Sequence, residues 1–169
     1  AVPWQGPVND LALLKLDRAW QGPVMRLSAG GDSDADLYFG ESFAAGFGKT
    51  ETSQRRADYE RILDGVTRQS TLAPSRYLNH AALPLKTPAV CYEQVGTHGY
   101  SSETNICAGY LDGGIDTCRG DSGGPLATID QSGRAYQIGV VSFGDGCAKK
   151  ENAGVYARVS GYRDWITAR

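Results

Sequence analysis

The stretch Asp-Thr-Cys-Arg-Gly-Asp-Ser-Gly-Gly-Pro, residues 116–125, decides how the rest of the chain is interpreted. It places a serine, Ser122, among glycines and directly after an aspartate. A serine hydroxyl attacks a carbonyl when a base takes its proton and backbone N–H groups receive the oxyanion, and glycines let the backbone approach closely. Ser122 is therefore the candidate nucleophile, and the N–H groups of Gly120 and Ser122 are the candidate oxyanion donors.

Residues 120–124 also match G-x-S-x-G, the nucleophile elbow of α/β-hydrolases. In those enzymes the catalytic histidine follows the serine, and a helix begins directly after it. No histidine follows Ser122, and Pro125 opens a strand-like run over residues 126–129. The sequence therefore argues against an α/β-hydrolase.

Residues 116–125 instead closely resemble the active-site segment of trypsin-like serine peptidases, the family with the chymotrypsin fold. Residues 9–16 resemble the family's segment with the triad aspartate, residues 140–147 its substrate-binding strand, and residues 154–166 its final strand and C-terminal helix. The motifs stand in the family's order, and the resemblance covers nearly the whole chain from Val8 on.

The fold that this resemblance implies is all-β, a chymotrypsin-like double β-barrel. Residues 1–40 are expected to form the end of the first barrel and the connection between barrels. Residues 41–169 are expected to form the complete second barrel, with the nucleophile, the primary pocket and a short C-terminal helix.

The resemblance also implies roles for single residues. Asp10 is expected to hold a catalytic histidine in the right tautomer. Asp116 is expected to be the pocket carboxylate that selects arginine or lysine before the scissile bond, the P1 position. Asp121 is expected to pair with the ammonium of a new N-terminus when a zymogen is cut. The other expected substrate-binding residues are Thr117 and Ser142 as hydroxyl acceptors, Gly144, Gly146 and Gly154 as small walls, and Phe143 and Arg119.

Two pocket positions depart from the family pattern. Phe143 replaces the usual tryptophan beside Ser142, which keeps an aromatic platform but loses an indole donor. Arg119 replaces the common glutamine at the mouth of the pocket, and we expect it to favour acidic groups on the leaving-group side of the substrate.

The catalytic histidine is not found where the family carries it. In the family it precedes the triad aspartate, whereas this chain begins nine residues before Asp10. The chain has two histidines, His80 and His98, and we expect both to be surface or strand residues rather than the base. The base is expected to come from a separate N-terminal chain of the same protease, which would also supply the ammonium for Asp121.

Four cysteines allow three pairings, and none lies in a C-x-x-C unit, which disfavours zinc. The resemblance pairs Cys91 with Cys107 and Cys118 with Cys147, which leaves no cysteine for the N-terminal chain, so its association is expected to be non-covalent. Disulfides indicate an oxidising compartment, and the protein is expected to be secreted or periplasmic.

Composition limits the other functions. The 169 residues are 41% hydrophobic and 21% charged, which is typical of a globular protein. A net charge of -2 disfavours nucleic acid and anionic membranes as partners, and no apolar run reaches the roughly 20 residues of a membrane span. Asp32, Asp34 and Asp36 imitate a calcium loop, but Leu37 and Phe43 stand where its glycine and glutamate belong. No cofactor or metal is expected.

Local patterns predict a strand-rich chain. The expected strands are residues 11–16 (buried), 42–47, 61–72, 77–85, 126–129, 136–143 and 154–159, with residues 17–36 as a polar connection. The expected helix, the only one predicted, is residues 160–169 with Ser160 as the N-cap.

The sequence thus predicts a secreted serine endopeptidase, made from a zymogen, that hydrolyses peptide bonds after Arg or Lys. Its expected partners are protein or peptide substrates and protein protease inhibitors. Two alternatives stay open: a catalytically inactive homologue or fragment that acts as a binding protein, and an isolated folding module of the second barrel.

Overall fold

The computed structural model describes residues 6–28, 41–50, 74–96 and 99–169. Within these ranges the chain is mostly β, with three short helices. The strands are β1 Arg26–Leu27, β2 Ser42–Gly46, β3 Asn79–Leu83, β4 Asn105–Ala108, β5 Pro125–Ile129, β6 Ala135–Phe143 and β7 Gly154–Arg158. The helices are α1 Pro88–Val95, a 3-10 helix Val159–Tyr162 and α2 Arg163–Thr167. None of these helices has the length and apolar character needed to cross a bilayer.

Six strands form one antiparallel sheet in the order β3-β2-β5-β6-β7-β4, and β1 pairs with β6 in parallel beside this path. The two ends of the sheet meet at an isolated bridge between Leu85 and Ala108. Next to the bridge, the Lys86 N–H donates to the Cys107 carbonyl at 3.0 Å. The sheet is therefore curled into a barrel, and the expected all-β, chymotrypsin-like fold with a short C-terminal helix is confirmed.

The interior of this curled sheet holds the apolar side chains of the strands. Leu126 and Ala127 of β5, Ile138 of β6 and Tyr156 of β7 are fully buried. Neighbouring positions such as Leu126 and Ala127 are both buried, so burial in β5 is not limited to every second residue. The core cluster consists of Ala44, Leu83, Ile106, Ala108, Leu126, Ile138, Val141 and Tyr156.

The strands predicted over residues 42–47, 77–85, 126–129, 136–143 and 154–159 all correspond to observed strands, with ends shifted by a few residues. The strand predicted over residues 61–72 lies outside the described residues, as do Asp32, Asp34, Asp36 and His98.

Helix α1 was not predicted from the sequence. Its start has ordinary signals: Thr87 is the N-cap, its hydroxyl accepts from the Val90 N–H at 3.4 Å, and Pro88 occupies the first turn. Strand β4 was also missed, as was β1 within the predicted connection.

The predicted C-terminal helix is confirmed, but its predicted N-cap is wrong. Residues 159–162 form a 3-10 helix before α2 begins, and neither N-cap position makes a side-chain capping bond. Ser160 lies inside the 3-10 helix, where its hydroxyl accepts from the Arg158 guanidinium at 2.9 Å.

The buried strand predicted over residues 11–16 is also wrong. This segment has no strand pairing among the described residues, and the exposed fractions of Leu14 and Leu16 are 90% and 62%. Apolar residues become a buried strand only where a neighbouring element covers them, and no described element does so here.

Candidate active site

The turn that carries Ser122 is fixed to strand β6. The Gly123 N–H donates to the Val141 carbonyl and the Val141 N–H donates to the Gly124 carbonyl, both at 2.9 Å. Gly120 and Gly123 have φ angles of 99° and 81°, a region that glycine enters without strain. The turn therefore presents Ser122 at the surface from a rigid base.

Two N–H groups of this turn are available to an oxyanion. The Arg119 carbonyl accepts from the Lys49 N–H at 3.0 Å. Because the C=O and N–H of one peptide point in opposite directions, the Gly120 N–H points away from Lys49. Within the described residues, neither the Gly120 nor the Ser122 N–H donates to another group. Their role as oxyanion donors stays a prediction.

Asp121 is held beneath the turn. Its Oδ1 accepts from the Gly48 N–H at 2.7 Å, and its Oδ2 accepts from the Cys118 N–H at 2.9 Å. A side chain at Gly46 or Gly48 would overlap this carboxylate. Asp121 lines a cavity of about 750 Å³, and no cation of the described residues pairs with it.

A second, smaller cavity of about 200 Å³ opens beside Ser122. It is bounded by the nucleophile segment on one side and by the end of β6 and the following loop on the other. Every residue predicted for substrate binding lines it: Asp116, Thr117, Arg119, Ser142, Phe143, Gly144, Gly146 and Gly154.

Asp116 places a carboxylate in the lining of this cavity. Its Oδ1 accepts from the Thr117 N–H at 2.8 Å, and its Oδ2 accepts from the Ala148 N–H at 3.0 Å. Burial raises the pKa of the Asp116 carboxyl, and the nearby charge of Asp121 adds to this rise, while the two backbone donors oppose it. A side chain at Gly154 would approach Asp116 Oδ1 to 2.9 Å, so glycine keeps the space beside the carboxylate open.

Asp10 and Ser122 line one groove of about 670 Å³. The Ser142 hydroxyl donates to Asp10 Oδ2 at 2.7 Å, and the Tyr162 hydroxyl donates to Asn9 Oδ1 at 3.1 Å. Ser142 was expected to be a hydroxyl acceptor for the substrate; its hydrogen is donated to Asp10, while its oxygen can still accept, so that role stays a prediction. No sequence signal connects these residues, which are 132 positions apart.

The other predicted hydroxyl, that of Thr117, shares a hydrogen bond with the Tyr156 hydroxyl at 3.1 Å. Tyr156 is buried, and burial raises the pKa of its phenol, so the pair stays neutral beside Asp116.

His80 lies apart from this groove. It is an exposed residue of β3 and lines the 750 Å³ cavity near Asp121, not the groove of Asp10 and Ser122. His80 is the one histidine within the described ranges, so these ranges place no imidazole between the two candidate catalytic residues.

Both expected disulfides are present. Cys91 pairs with Cys107, and Cys118 pairs with Cys147, with Cα–Cα distances of 5.9 and 5.3 Å. The first joins α1 to β4. The second joins the nucleophile segment to the loop after β6, so it crosses the cavity wall next to Asp116.

Known proteins with this sequence pattern are serine proteases. The profile of the family described as Trypsin matches residues 2–166. Coagulation factor XI of Bos taurus is 35% identical over 162 residues, which are 93% of this chain and 22% of the relative. The Suppressor of tumorigenicity 14 protein homolog of Bos taurus is 56% identical over 64 residues, which are 38% of this chain and 8% of the relative. Transmembrane protease serine 11B of Homo sapiens is 45% identical over 80 residues, which are 47% of this chain and 19% of the relative.

These matches and the site geometry show to which class of protein the chain belongs. The chain belongs to the trypsin family of serine proteases. It spans less than a quarter of the length of these curated relatives.

Proposed function

We propose that this chain is the nucleophile-bearing part of a secreted or periplasmic serine endopeptidase that cleaves after Arg or Lys. The observation that carries the proposal is the shared lining of one 200 Å³ cavity by Ser122 and the partly buried carboxylate of Asp116. A long cationic side chain can reach such a carboxylate, and the guanidinium of arginine can pair with it through two N–H groups. The scissile carbonyl would then lie beside Ser122.

The reaction would proceed through an acyl-enzyme. Ser122 Oγ attacks the carbonyl carbon, a histidine takes its proton, and the N–H groups of Gly120 and Ser122 hold the oxyanion. The histidine then protonates the leaving amine. Water then attacks the acyl-enzyme while the histidine takes its proton, and the histidine returns that proton to Ser122 as the acyl group leaves. Asp10 stabilises the imidazolium each time it forms.

The histidine is proposed to come from another polypeptide. The groove shared by Asp10 and Ser122 supports a histidine from outside the described residues, because its described lining has two of the three functional groups and no imidazole. Leu13 and Leu14 line the groove and are solvent-exposed, and Leu16 and Trp20 of the same segment are exposed too; exposed apolar surface of this kind marks protein contacts. We propose that the end of a first barrel packs here.

That polypeptide is proposed to bind without a covalent link. All four cysteines of this chain are paired with one another, so none is available to a partner. The same pairing supports an oxidising compartment, because such disulfides persist outside the reducing cytosol.

Asp121 is proposed to be the activation switch. Each of its oxygens accepts one backbone N–H and has further acceptor capacity, and Asp121 lines the adjoining cavity. An α-ammonium in that cavity would form an ion pair with the carboxylate. This ion pair would fix the conformation of the turn that holds the Gly120 and Ser122 donors. Activation of a zymogen by cleavage would supply this ammonium.

Arg119 is proposed to select the leaving-group side of the substrate. Its side chain is exposed, lines the cavity beside Ser122, and has no carboxylate partner within the described chain. We expect peptides with acidic P1′ or P2′ residues to be preferred over neutral ones. Equal preferences in the wild type and the Arg119→Gln variant would refute this idea.

The test of the proposed function begins with the protein isolated under native conditions. Its mass is measured first with its assembly intact and then after denaturation, and hydrolysis of an arginine ester is assayed in the same preparation. The proposal expects a second polypeptide with a histidine, and ester hydrolysis that Ser122→Ala removes. A single chain of 18.1 kDa without activity would instead support the binding-protein alternative.

A further inference from the structure

Gly6 lies in a narrow space against the ring of Phe143. A Cβ at Gly6 would lie 2.7–2.9 Å from the Cζ, Cε2 and Cε1 atoms of that ring, closer than real side chains approach. Gly6 is buried, whereas residues 7–10 after it are exposed. Gly6 therefore makes a close contact at the start of an otherwise exposed segment, residues 7–10.

Gly99 closes the same space from the other side. A Cβ at Gly99 would lie 2.8 Å from the Gly6 carbonyl oxygen and 2.9 Å from its Cα and N. The φ angle of Gly99 is 96°, so this position favours glycine for conformational reasons as well. We call Gly6, Gly99 and Phe143 the glycine clamp.

The clamp and Asp10 are both attached to the C-terminal end of β6. Phe143 contacts Gly6, and the preceding residue, Ser142, donates to Asp10 at 2.7 Å. Asp10 is only four residues after Gly6. Between them the backbone is sharply turned, because Asn9 has a φ of 56° and its carbonyl accepts from the Leu11 N–H at 2.8 Å. Because the backbone between the two residues is short and turned, a displacement of Gly6 would also displace Asp10.

Few other contacts could absorb such a shift. The side-chain bonds that hold residues 7–11, those from Ser142 to Asp10 and from Tyr162 to Asn9, both lie at exposed positions. Hydrogen bonds of this kind contribute only about 0.5–1.5 kcal/mol each. Among the residues that the structure describes, the clamp is the buried attachment of this segment.

We propose that Gly6 and Gly99 are positioning residues that set the place of Asp10 by seating the N-terminal segment on Phe143. The inference rests on the proposed function for its kinetic consequence, but the seating itself is a property of this chain. Misplacing a catalytic group by about 1 Å lowers turnover by roughly 10²-fold. A side chain at either glycine should therefore lower kcat rather than raise KM.

The test compares Gly99→Ala with Gly133→Ala. Gly133 has a φ of 80°, lies in the turn between β5 and β6, and has no atom within 4 Å of an added Cβ. The two variants thus introduce a similar backbone strain, but only Gly99→Ala introduces a clash with Gly6. Amide hydrogen exchange of peptides from residues 6–16 is measured in both variants, together with kcat and KM for a small arginine ester.

The proposal expects Gly99→Ala to speed exchange in residues 6–16 and to lower kcat about 10- to 100-fold at an unchanged KM. Gly133→Ala should leave both unchanged. If the two variants behave alike in both measurements, the clamp does not position Asp10. If the protein shows no hydrolysis at all, the proposed function fails, and the exchange measurement still decides whether the clamp seats the segment.

A second pair of variants guards against misfolding. Gly6→Ala alone should speed exchange in residues 7–16, whereas Gly6→Ala in a Phe143→Ala background should add little, because the ring that it would meet is gone. Additive effects of the two substitutions would overturn the proposal.

Discussion

The segment around Ser122 and the segment around Asp10 are built in different ways. The first is tied by a disulfide, by paired bonds to β6 and by the two N–H groups that hold Asp121. The second, residues 6–16, has exposed leucines and is fixed at Gly6, Asn9 and Asp10. The difference indicates that the turn with Ser122 is fixed by the barrel itself, whereas residues 11–16 have no covering element within the described chain.

The largest effect should come from the nucleophile. Ser122→Ala removes the attacking oxygen while leaving the oxyanion donors and the pocket in place, so kcat for an arginine ester should fall by at least about 10⁴-fold. Benzamidine, a cation that fits an arginine pocket, should bind with unchanged affinity. A loss of benzamidine binding would mean that the substitution disturbed the pocket.

The next effect concerns the pocket charge. Asp116→Ser should lower kcat/KM for P1 arginine by roughly 10²- to 10³-fold, because removing one partner of a buried charge pair costs about 2–5 kcal/mol. The value for P1 phenylalanine should fall little. Both are measured with peptides that differ only at P1, and equal losses for the two peptides would refute a charge-selective pocket.

The two disulfides offer a matched comparison. Replacing Cys118 and Cys147 by alanine should reduce the free energy of unfolding by about 3–4 kcal/mol, and replacing Cys91 and Cys107 by about 3 kcal/mol, from loop closures of 29 and 16 residues. Only the first pair adjoins Asp116, so benzamidine affinity should fall in that variant alone. Denaturant unfolding and benzamidine titration together test this expectation.

The pH dependence of cation binding should follow Asp116. Burial raises the pKa of this carboxyl, so it takes up a proton at a higher pH than an exposed aspartate as the solution is acidified. Benzamidine affinity should therefore decline as the pH falls through this raised pKa. In the folded protein the charged form is disfavoured, so Asp116 opposes folding fully above its raised pKa. This penalty shrinks as the pH falls through that pKa and is gone below the pKa of the unfolded chain. Asp116→Asn should abolish the pH dependence of binding.

The smallest effect should come from the link between the two segments. Ser142→Ala removes the bond to Asp10, and its exposed position limits the change in the free energy of unfolding to about 1 kcal/mol. Hydrogen exchange in residues 6–16 should still become faster. Unchanged exchange would show that Ser142 does not hold Asp10 in solution.

Local signals were sufficient for most strands of the barrel, whereas the pocket residues were inferred from the family resemblance and stay a prediction. The glycines, the proline and the serine of residues 116–125 are typical of a tight turn, and Pro125 opens a strand-like run over residues 126–129. Thr87 and Pro88 are also typical of a helix N-terminus, so the start of α1 could have been predicted from the local sequence.

Long-range contacts could not be predicted in this way. A buried strand was predicted over residues 11–16 because these residues include several leucines. Burial also requires a neighbouring element that covers the side chains, and the apolar character of a segment does not show whether one is present. The bond from Ser142 to Asp10 and the contact of Gly6 with Phe143 join residues more than 130 positions apart. No pattern within a short window carries such information.

The most direct measurement is an active-site titration with p-nitrophenyl guanidinobenzoate, whose cationic acyl group suits Asp116. Attack by Ser122 forms an ester to the guanidinobenzoyl group and releases one nitrophenolate. If the proposed complex is isolated natively, it should release one nitrophenolate per Ser122. A double variant with His80→Ala and His98→Ala should do the same. Replacing the histidine of the proposed companion polypeptide should abolish the burst. A burst that disappears with His80 and His98, or one that persists in preparations without any companion, would contradict a shared active site.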